Sequence, residues 1–424
     1  MPQTSNRKII ASWMSYDFAN SAFANNVSTF IYATFFTKII AQNEIEGTAL
    51  WSRGVTIIML VVAVLSPTLG ALADQAGYRK RFLIYSTLIA VIFTGLLYIP
   101  QPGQITLALT FYIIACIGFE MGTVFYNAYL PDIAPPKRIG RISGQAWAIG
   151  YLGALLSMAI LMVGFVSAET PWFGLAKDTH EHIRATNIGV AIWFAIFSLP
   201  AFYFLPETPA QQTGHKQILV SSYQRVIQTF RELKHYREIF KLLLARLVYN
   251  DGLTTIFAFG GIYAAGTFGF TFEEVLTFGI IINVAAGIGA WFFGFLDDRL
   301  GGKLTIQITL VGFVIAAIIS ATSEDRMWFW VAGVLVGLFA GPNQAASRSL
   351  MGRFVPKAKE TEFYGFYAFS GKATAFLGPL LMGLLTEAFQ SQRIGMATVG
   401  LFFIVGGILL HTVNEQDGIR VGTE

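Results

Sequence analysis

Few residues of this chain could do chemistry, and most of those lie within long apolar runs. Asn25-Asn26 and Asn250-Asp251 sit near the middle of two such runs, Glu120 lies inside a third, and Lys372 lies nine residues into another. Amide and carboxylate groups in these places can hydrogen-bond a polar solute. A carboxyl in a low dielectric, Glu120 or Asp251, can carry a proton, and a buried ammonium can meet a carboxylate. Each group also has a structural alternative. Asparagines join neighbouring helices, and Glu120 could form a permanent salt bridge with Arg246 or Lys372. Lys372 is too far from the end of its run to snorkel to the interface. Asp17, near the mouth of the first run, shares a helical face with Ser21, Ala24 and Ser28. It reads equally well as a charge favoured by a helix dipole. Asn283 interrupts a stripe formed with Gly279 and Gly287, a pattern that otherwise serves packing.

Other chemistries find no support. Cys116 is the sole cysteine, so neither a disulfide framework nor a thiolate metal cluster is expected. His180-Glu181-His182 with Asp178 lacks a third convergent ligand, and no metal or cofactor is expected. No Gly-x-x-x-x-Gly-Lys-Ser/Thr motif occurs, which points away from ATP as an energy source. No nucleophile–base pair is visible, so the chain does not read as an enzyme. A formal charge of +4 is too small to suggest nucleic acid.

The elements that position these groups follow from composition. Hydrophobic residues make up 54% of the chain and charged residues 13%, with a mean hydropathy of +0.57. So little charge cannot cover a water-facing surface, and most of the chain must sit in lipid. Twelve apolar segments can be cut, at 15–40, 51–73, 82–100, 105–130, 143–166, 185–205, 242–268, 275–296, 304–322, 327–347, 363–388 and 395–413. They must be helices, because backbone groups in hydrocarbon find partners only within their own segment, and continuous apolar runs exclude a barrel. Alternate loops, counted from the N-terminal side, hold 21 Lys and Arg against six on the other side. The positive-inside rule then places both termini in the cytoplasm of a multi-pass membrane protein, in the cell (inner) membrane for a bacterial chain. No cleavable signal peptide is expected, because Met1 to Lys8 leads into a segment too polar for its apolar core. Pro206 and Pro209 end the sixth span, 223–236 reads as an amphipathic helix on the membrane surface, and the residues after Asn414 read as disordered.

A loop signature occurs twice. Gly70-Ala71-Leu72-Ala73-Asp74-Gln75-Ala76-Gly77 precedes Arg79, and Gly294-Phe295-Leu296-Asp297-Asp298-Arg299-Leu300-Gly301 precedes Lys303. An offset of 225 also places Asn25-Asn26 on Asn250-Asp251, Pro131 on Pro356, Gly140 on Gly365 and Trp147 on Lys372. The chain is therefore expected to be all-α, with two pseudo-symmetric six-helix bundles at 1–205 and 242–424 joined by a cytoplasmic linker at 206–241. Parallel repeats of this kind build transporters with the solute site between them, near mid-depth.

The paired Gly-x-Leu-x-Asp loops resemble the signature of the major facilitator superfamily. Tyr16-Asp17-Phe18-Ala19-Asn20, Tyr126-Asn127-Ala128-Tyr129-Leu130-Pro131-Asp132 and Gln344-Ala345-Ala346-Ser347-Arg348 are similar to the vacuole-effluxer-like branch, whose fungal members are linked to autophagy. The resemblance implies a major facilitator fold and transport by alternating access. It also implies a small polar cargo such as an amino acid, moved outward with protons as a coupling ion. In that superfamily every third helix faces lipid, and spans three, six, nine and twelve of this chain carry no Asp, Glu, Lys or Arg. Asn25, Asn26, Asn250, Asp251, Asn283, Trp147 and Lys372 become cavity candidates, and Glu120, Asp251 and Asp17 become proton-coupling candidates. By the same resemblance, Asp74, Arg79, Asp298 and Arg299 are expected to gate the cytoplasmic side. The basic clusters around Arg138 and Arg353 read only as positive-inside charge. A monomer in the bilayer is expected. The competing reading is a receptor or scaffold that keeps a transporter fold without transporting.

Overall fold

A computed structural model describes residues 3–208, 218–232 and 234–423. Pro209 and Lys216 of the linker, and the start of the segment weighed as a signal peptide, lie outside the described residues. Every regular element among the described residues is helical. Nine helices there are long and apolar enough to cross a membrane. The other three apolar segments are helical but interrupted or charged at an end. The first runs through α1 (Gln3–Ala22) into a wider π-type coil at Phe23–Phe30 and then α2 (Ile31–Phe35). The third is α4 (Arg79–Leu96), which opens on Arg79, Lys80 and Arg81. The eleventh is broken between α14 (Glu360–Ser370) and α15 (Leu377–Phe389).

The uninterrupted spans carry recognisable starts and stops. In α3 (Glu44–Ala76) the Asn43 side chain accepts from Glu46 N at 2.9 Å, and α11 (Phe272–Leu300) opens on a capping box of Thr271 and Glu274. Asp325 caps α13 (Arg326–Phe354) through Met327 N at 2.8 Å. Two helices stop at the signature glycines: Gly77 ends α3 at φ 68° and Gly301 ends α11 at φ 90°. A β-carbon at either position would strain the turn. Between these lie α5 (Ile105–Asn127), the short α6 (Leu130–Ile133), α7 (Ile139–Leu161) and α8 (Glu181–Phe204). Later come α9 (Ile218–Arg231), α10 (Arg237–Phe268), α12 (Gly302–Thr322), α16 (Gln392–His411) and α17 (Glu415–Thr423).

Contacts group the chain into two compact units. The first comprises Met1–Ser66, Ala73–Asn127 and Ile149–Thr213; the second takes Pro67–Leu72 and Ala128–Ala148 together with Gly214–Glu424. The first unit has an aromatic core. Trp13 stacks on Tyr126 at 4.6 Å and Tyr16 on Tyr126 at 4.8 Å, while the Tyr16 hydroxyl pairs with Thr87 at 2.8 Å. Trp13 also donates to the Tyr126 carbonyl at 2.9 Å. Thus Tyr16 and Tyr126, singled out by motif, are buried packing residues. In the second unit, Gly337 and Gly341 of α13 let that helix press against the Ile282 and Ala286 carbonyls of α11.

The third, sixth, ninth and twelfth spans carry apolar stripes open to the surroundings, for example Ile188, Ile192 and Ile196 of α8 or Leu401, Ile404 and Ile408 of α16. Such stripes cost free energy in water and none in lipid.

Two expectations change. The residues after Asn414 are ordered as α17, because the Glu415 carboxylate accepts from Gly302 N and Lys303 N, at 2.9 and 3.2 Å, at the start of α12. The linker helix α9, expected on the membrane surface, is also tied to the start of the eleventh span. Arg225 pairs with Glu362 at 3.1 Å, the Thr229 hydroxyl donates to Glu362 at 2.5 Å, and Lys359 reaches both Thr229 and Glu232. Tyr223 and Ile227 of α9 remain exposed.

Candidate functional site

In the second unit, polar groups collect where the eleventh span breaks. The Gly371 amide bonds the Ala368 carbonyl three residues back, and the next two amides both turn to Phe369. The Tyr367 carbonyl, which a continuous helix would have paired with Gly371 N, is thereby released. Arg246 of α10 takes it, with Nη1 donating to Tyr367 O at 2.8 Å and to the Ser370 hydroxyl at 3.1 Å. The guanidinium also lies over the Tyr367 ring, 3.7 Å from its centroid. Gly371 leaves room for it, since a β-carbon there would fall 2.5 Å from Nη1.

One turn along α10, Asn250 continues the pattern. Its amide donates to Gly371 O at 2.9 Å, and its carbonyl accepts from Gln344 of α13 at 3.2 Å. Asp251 is 2% exposed and forms no ion pair among the described residues. Thr374 lies beside it. Gly378 packs directly on Thr255 and the Asp251 carbonyl, so α15 and α10 cross at close range. Lys372 stands half-buried in the break itself. Asn283 spends its amide on Gly279 O of its own helix at 2.8 Å. Trp147 is half-buried, with the Arg348 guanidinium 5.6 Å from its ring centroid. Of the seven cavity candidates, the break brings together Asn250, Asp251 and Lys372.

In the first unit, Asn25 and Asn26 fall in the π-type coil, a distortion common at functional positions. Asn26 donates to Ser157 of α7 at 2.9 Å and to Ala22 O at 3.0 Å, leaving its own carbonyl buried without a partner. Asn25 reaches the Ala154 carbonyl only at 3.5 Å. Both amides therefore reach α7 from this coil. Asp17 is buried and Glu120 half-buried. Arg246 has no acidic partner among the described residues.

The second signature loop is a charged junction. Asp298 Oδ1 accepts from Gly140 N at 2.9 Å and Arg141 N at 3.2 Å, where the first turn of α7 exposes amides and the positive end of its dipole. Arg141 Nε lies 3.5 Å from the same carboxylate. Beside it, Asp297 pairs with Arg353 at 2.7 Å and accepts from the Ser349 hydroxyl. Farther along, Ser143 donates to Ala345 O at 2.7 Å, and Arg348 donates to both Ser143 Oγ and O. Gly70 of the first loop presses on Thr361 and Glu362 at the start of α14, much as Gly294 presses on Gly140 and Arg141 at the start of α7. In the first unit, Asp74 and Arg79 form a buried pair at 3.4 Å.

Arg299 is exposed and forms no ion pair among the described residues. Arg141 and Arg353, which read as mere topology charges, occupy the position expected of it, and Asp297 was not singled out at all. The doubled acid at Asp297-Asp298 was the available signal. Arg246 could have been found as one of two basic residues in span interiors, since Lys38 and Arg53 lie near span ends.

This fold, with its polar break inside apolar helices, is that of a major facilitator superfamily membrane transporter. The chain belongs to the family described as vacuole effluxer Atg22 like, whose model matches residues 39–139 and 136–422. It is 28% identical over 427 residues to the uncharacterized MFS-type transporter YxiO of Bacillus subtilis, covering 97% of this chain and 96% of that one. It is 21% identical to autophagy-related protein 22 of Kluyveromyces lactis over 410 residues, covering 88% and 80% of the two chains. Among solved structures, the proton:xylose symporter XylE aligns with a TM-score of 0.78 at 14% identity, over 99% of this chain and 98% of that one. The transporter FucP, in an outward conformation, aligns with a TM-score of 0.77 at 17% identity, over 97% and 99%. These likenesses establish a multi-pass membrane protein of transporter fold and family.

Proposed function

We propose that this chain is a secondary transporter that exports an amino acid or a related small polar metabolite by alternating access, with protons as the coupling ion. The carrying observation is the break in the eleventh span, where Asn250, Asp251, Gln344 and Lys372 lie in or beside an otherwise apolar bundle. Discontinuous helices of this kind expose backbone and side-chain polarity at the depth where transporters hold their cargo. Membership of an effluxer family supports the outward direction. The bundles are 1–205 and 242–424, joined by 206–241, and both termini face the cytoplasm of the cell membrane.

In this proposal Asn25, Asn26, Asn283 and Trp147 complete the cavity lining. Glu120, Asp251 and Asp17 are the groups that exchange protons, because an ionisable side chain within a span needs a functional reason. Asp74 with Arg79, and Asp298 with Arg141, Arg353 and α7, form contacts that are made and broken in each cycle. Arg299 contributes by charge alone. The monomer is the working unit.

The test is reconstitution of the purified chain into liposomes with a panel of labelled amino acids, with and without a pH gradient. Gradient-dependent movement of one of them supports the proposal. No movement of any, in vesicles that hold a working control transporter, refutes the amino-acid assignment.

A further inference from the structure

Four of the 29 Lys and Arg in this chain fall within the apolar segments, and of these Lys38 and Arg53 lie within three residues of a segment end, which leaves Arg246 and Lys372 as the interior ones. Arg246 is the better held. Its side chain is 7% exposed, Tyr367 covers one face of the guanidinium, and Nη1 is committed to the carbonyl and hydroxyl exposed at the helix break. Nε is buried with no hydrogen-bond partner, and Nη2 donates to no described residue. No carboxylate pairs with it among the described residues. A buried cation without a counter-charge is strongly disfavoured. Stacking on Tyr367 and two hydrogen bonds offset only part of that cost. What remains is a fixed positive charge with N–H groups to spare, lodged against Gly371, whose carbonyl Asn250 already holds in place.

We infer that Arg246 is the anion receptor of this transporter, and that the cargo presents a carboxylate to its unpaired N–H groups. This rests on the transport reading above and narrows it, since a planar guanidinium with two free donors matches a carboxylate far better than an ammonium such as Lys372 does. The glycine at 371 is part of the device: any side chain there would displace Nη1 from the Tyr367 carbonyl. Neutral sugars and amines would leave the charge uncompensated and are excluded by the same energetics.

The inference is tested on the full-length chain in lipid nanodiscs with isovalerate and, as its uncharged isostere, isovaleramide. Isovalerate should raise the melting temperature and shield Arg246 from phenylglyoxal, read by mass spectrometry, while isovaleramide should do neither. R246Q should lose the thermal response to isovalerate, and R246K should keep only part of it. In proteoliposomes that carry leucine, R246Q should reduce uptake about ten- to hundredfold. Equal shielding by acid and amide, or no shielding of the unmodified protein, overturns the inference even if R246Q does not fold. A full isovalerate response in R246Q also overturns it. Should leucine and every other amino acid fail to move while isovalerate alone shields Arg246, the amino-acid assignment falls and the carboxylate site stands.

Discussion

Asp251 and Arg246 are five residues apart on α10, both buried, and neither forms an ion pair among the described residues. Opposite charges that close in sequence would pair if their helix let them, but five positions of an α-helix put them about 140° apart around its axis. Their hydrogen bonds go to uncharged groups instead, Asp251 to Thr374 and Arg246 to Tyr367 and Ser370. For Asp251 the expected outcome of Asp251→Asn is a chain that inserts and melts normally but loses pH-gradient-driven transport, measured in proteoliposomes. Glu120→Gln should retain downhill exchange and lose accumulation against a gradient. Unchanged uphill accumulation would remove Glu120 from the coupling path. The asparagines differ between units: Asn26 commits its donors to α7 and α1, whereas Asn250 bridges a broken helix and α13. Asn26→Ala should therefore act mainly on stability and Asn250→Ala on transport.

At the scale of elements, the junction of α11, α7 and α13 invites a direct measurement. Asp297 is 2% exposed and pairs with Arg353. Removing one partner of a buried pair leaves the other charge stranded, so Asp297→Ala should destabilise the protein by about 3–5 kcal/mol in thermal unfolding. Asp298 instead caps the first turn of α7, and Asp298→Asn should cost about 1–2 kcal/mol while altering transport rate more than affinity. The linker helix α9 is tied to the start of the eleventh span through a fully buried Glu362. Glu362→Gln should weaken that attachment, read as faster proteolysis within 206–241 with the spans intact. These pairings were only half legible beforehand. The repeated Gly and Asp marked the loops, and Gly77 and Gly301 do make left-handed or positive-φ stops. Which arginine would meet which aspartate depended on how the helices pack, because many basic residues were equally near in sequence.

At the scale of the molecule, hydropathy and charge were sufficient for the class. A chain so apolar, cut into membrane-length helices and duplicated at a constant offset, has few folds open to it, and the family match agrees with that outcome. Topology can be checked independently. Reporter fusions at both ends and after residue 214 should report cytoplasm, and fusions in the loop at 167–180 should report the other side.

Spans, repeat and the family itself could be read from residue types along one dimension, because lipid imposes its rule on each segment separately. The break at Gly371, the exposed Arg299, the paired Asp297 and the Arg246 guanidinium held at Tyr367 and Ser370 could not. Each depends on which side chain from a distant helix reaches a given backbone group, and only packing in three dimensions decides that.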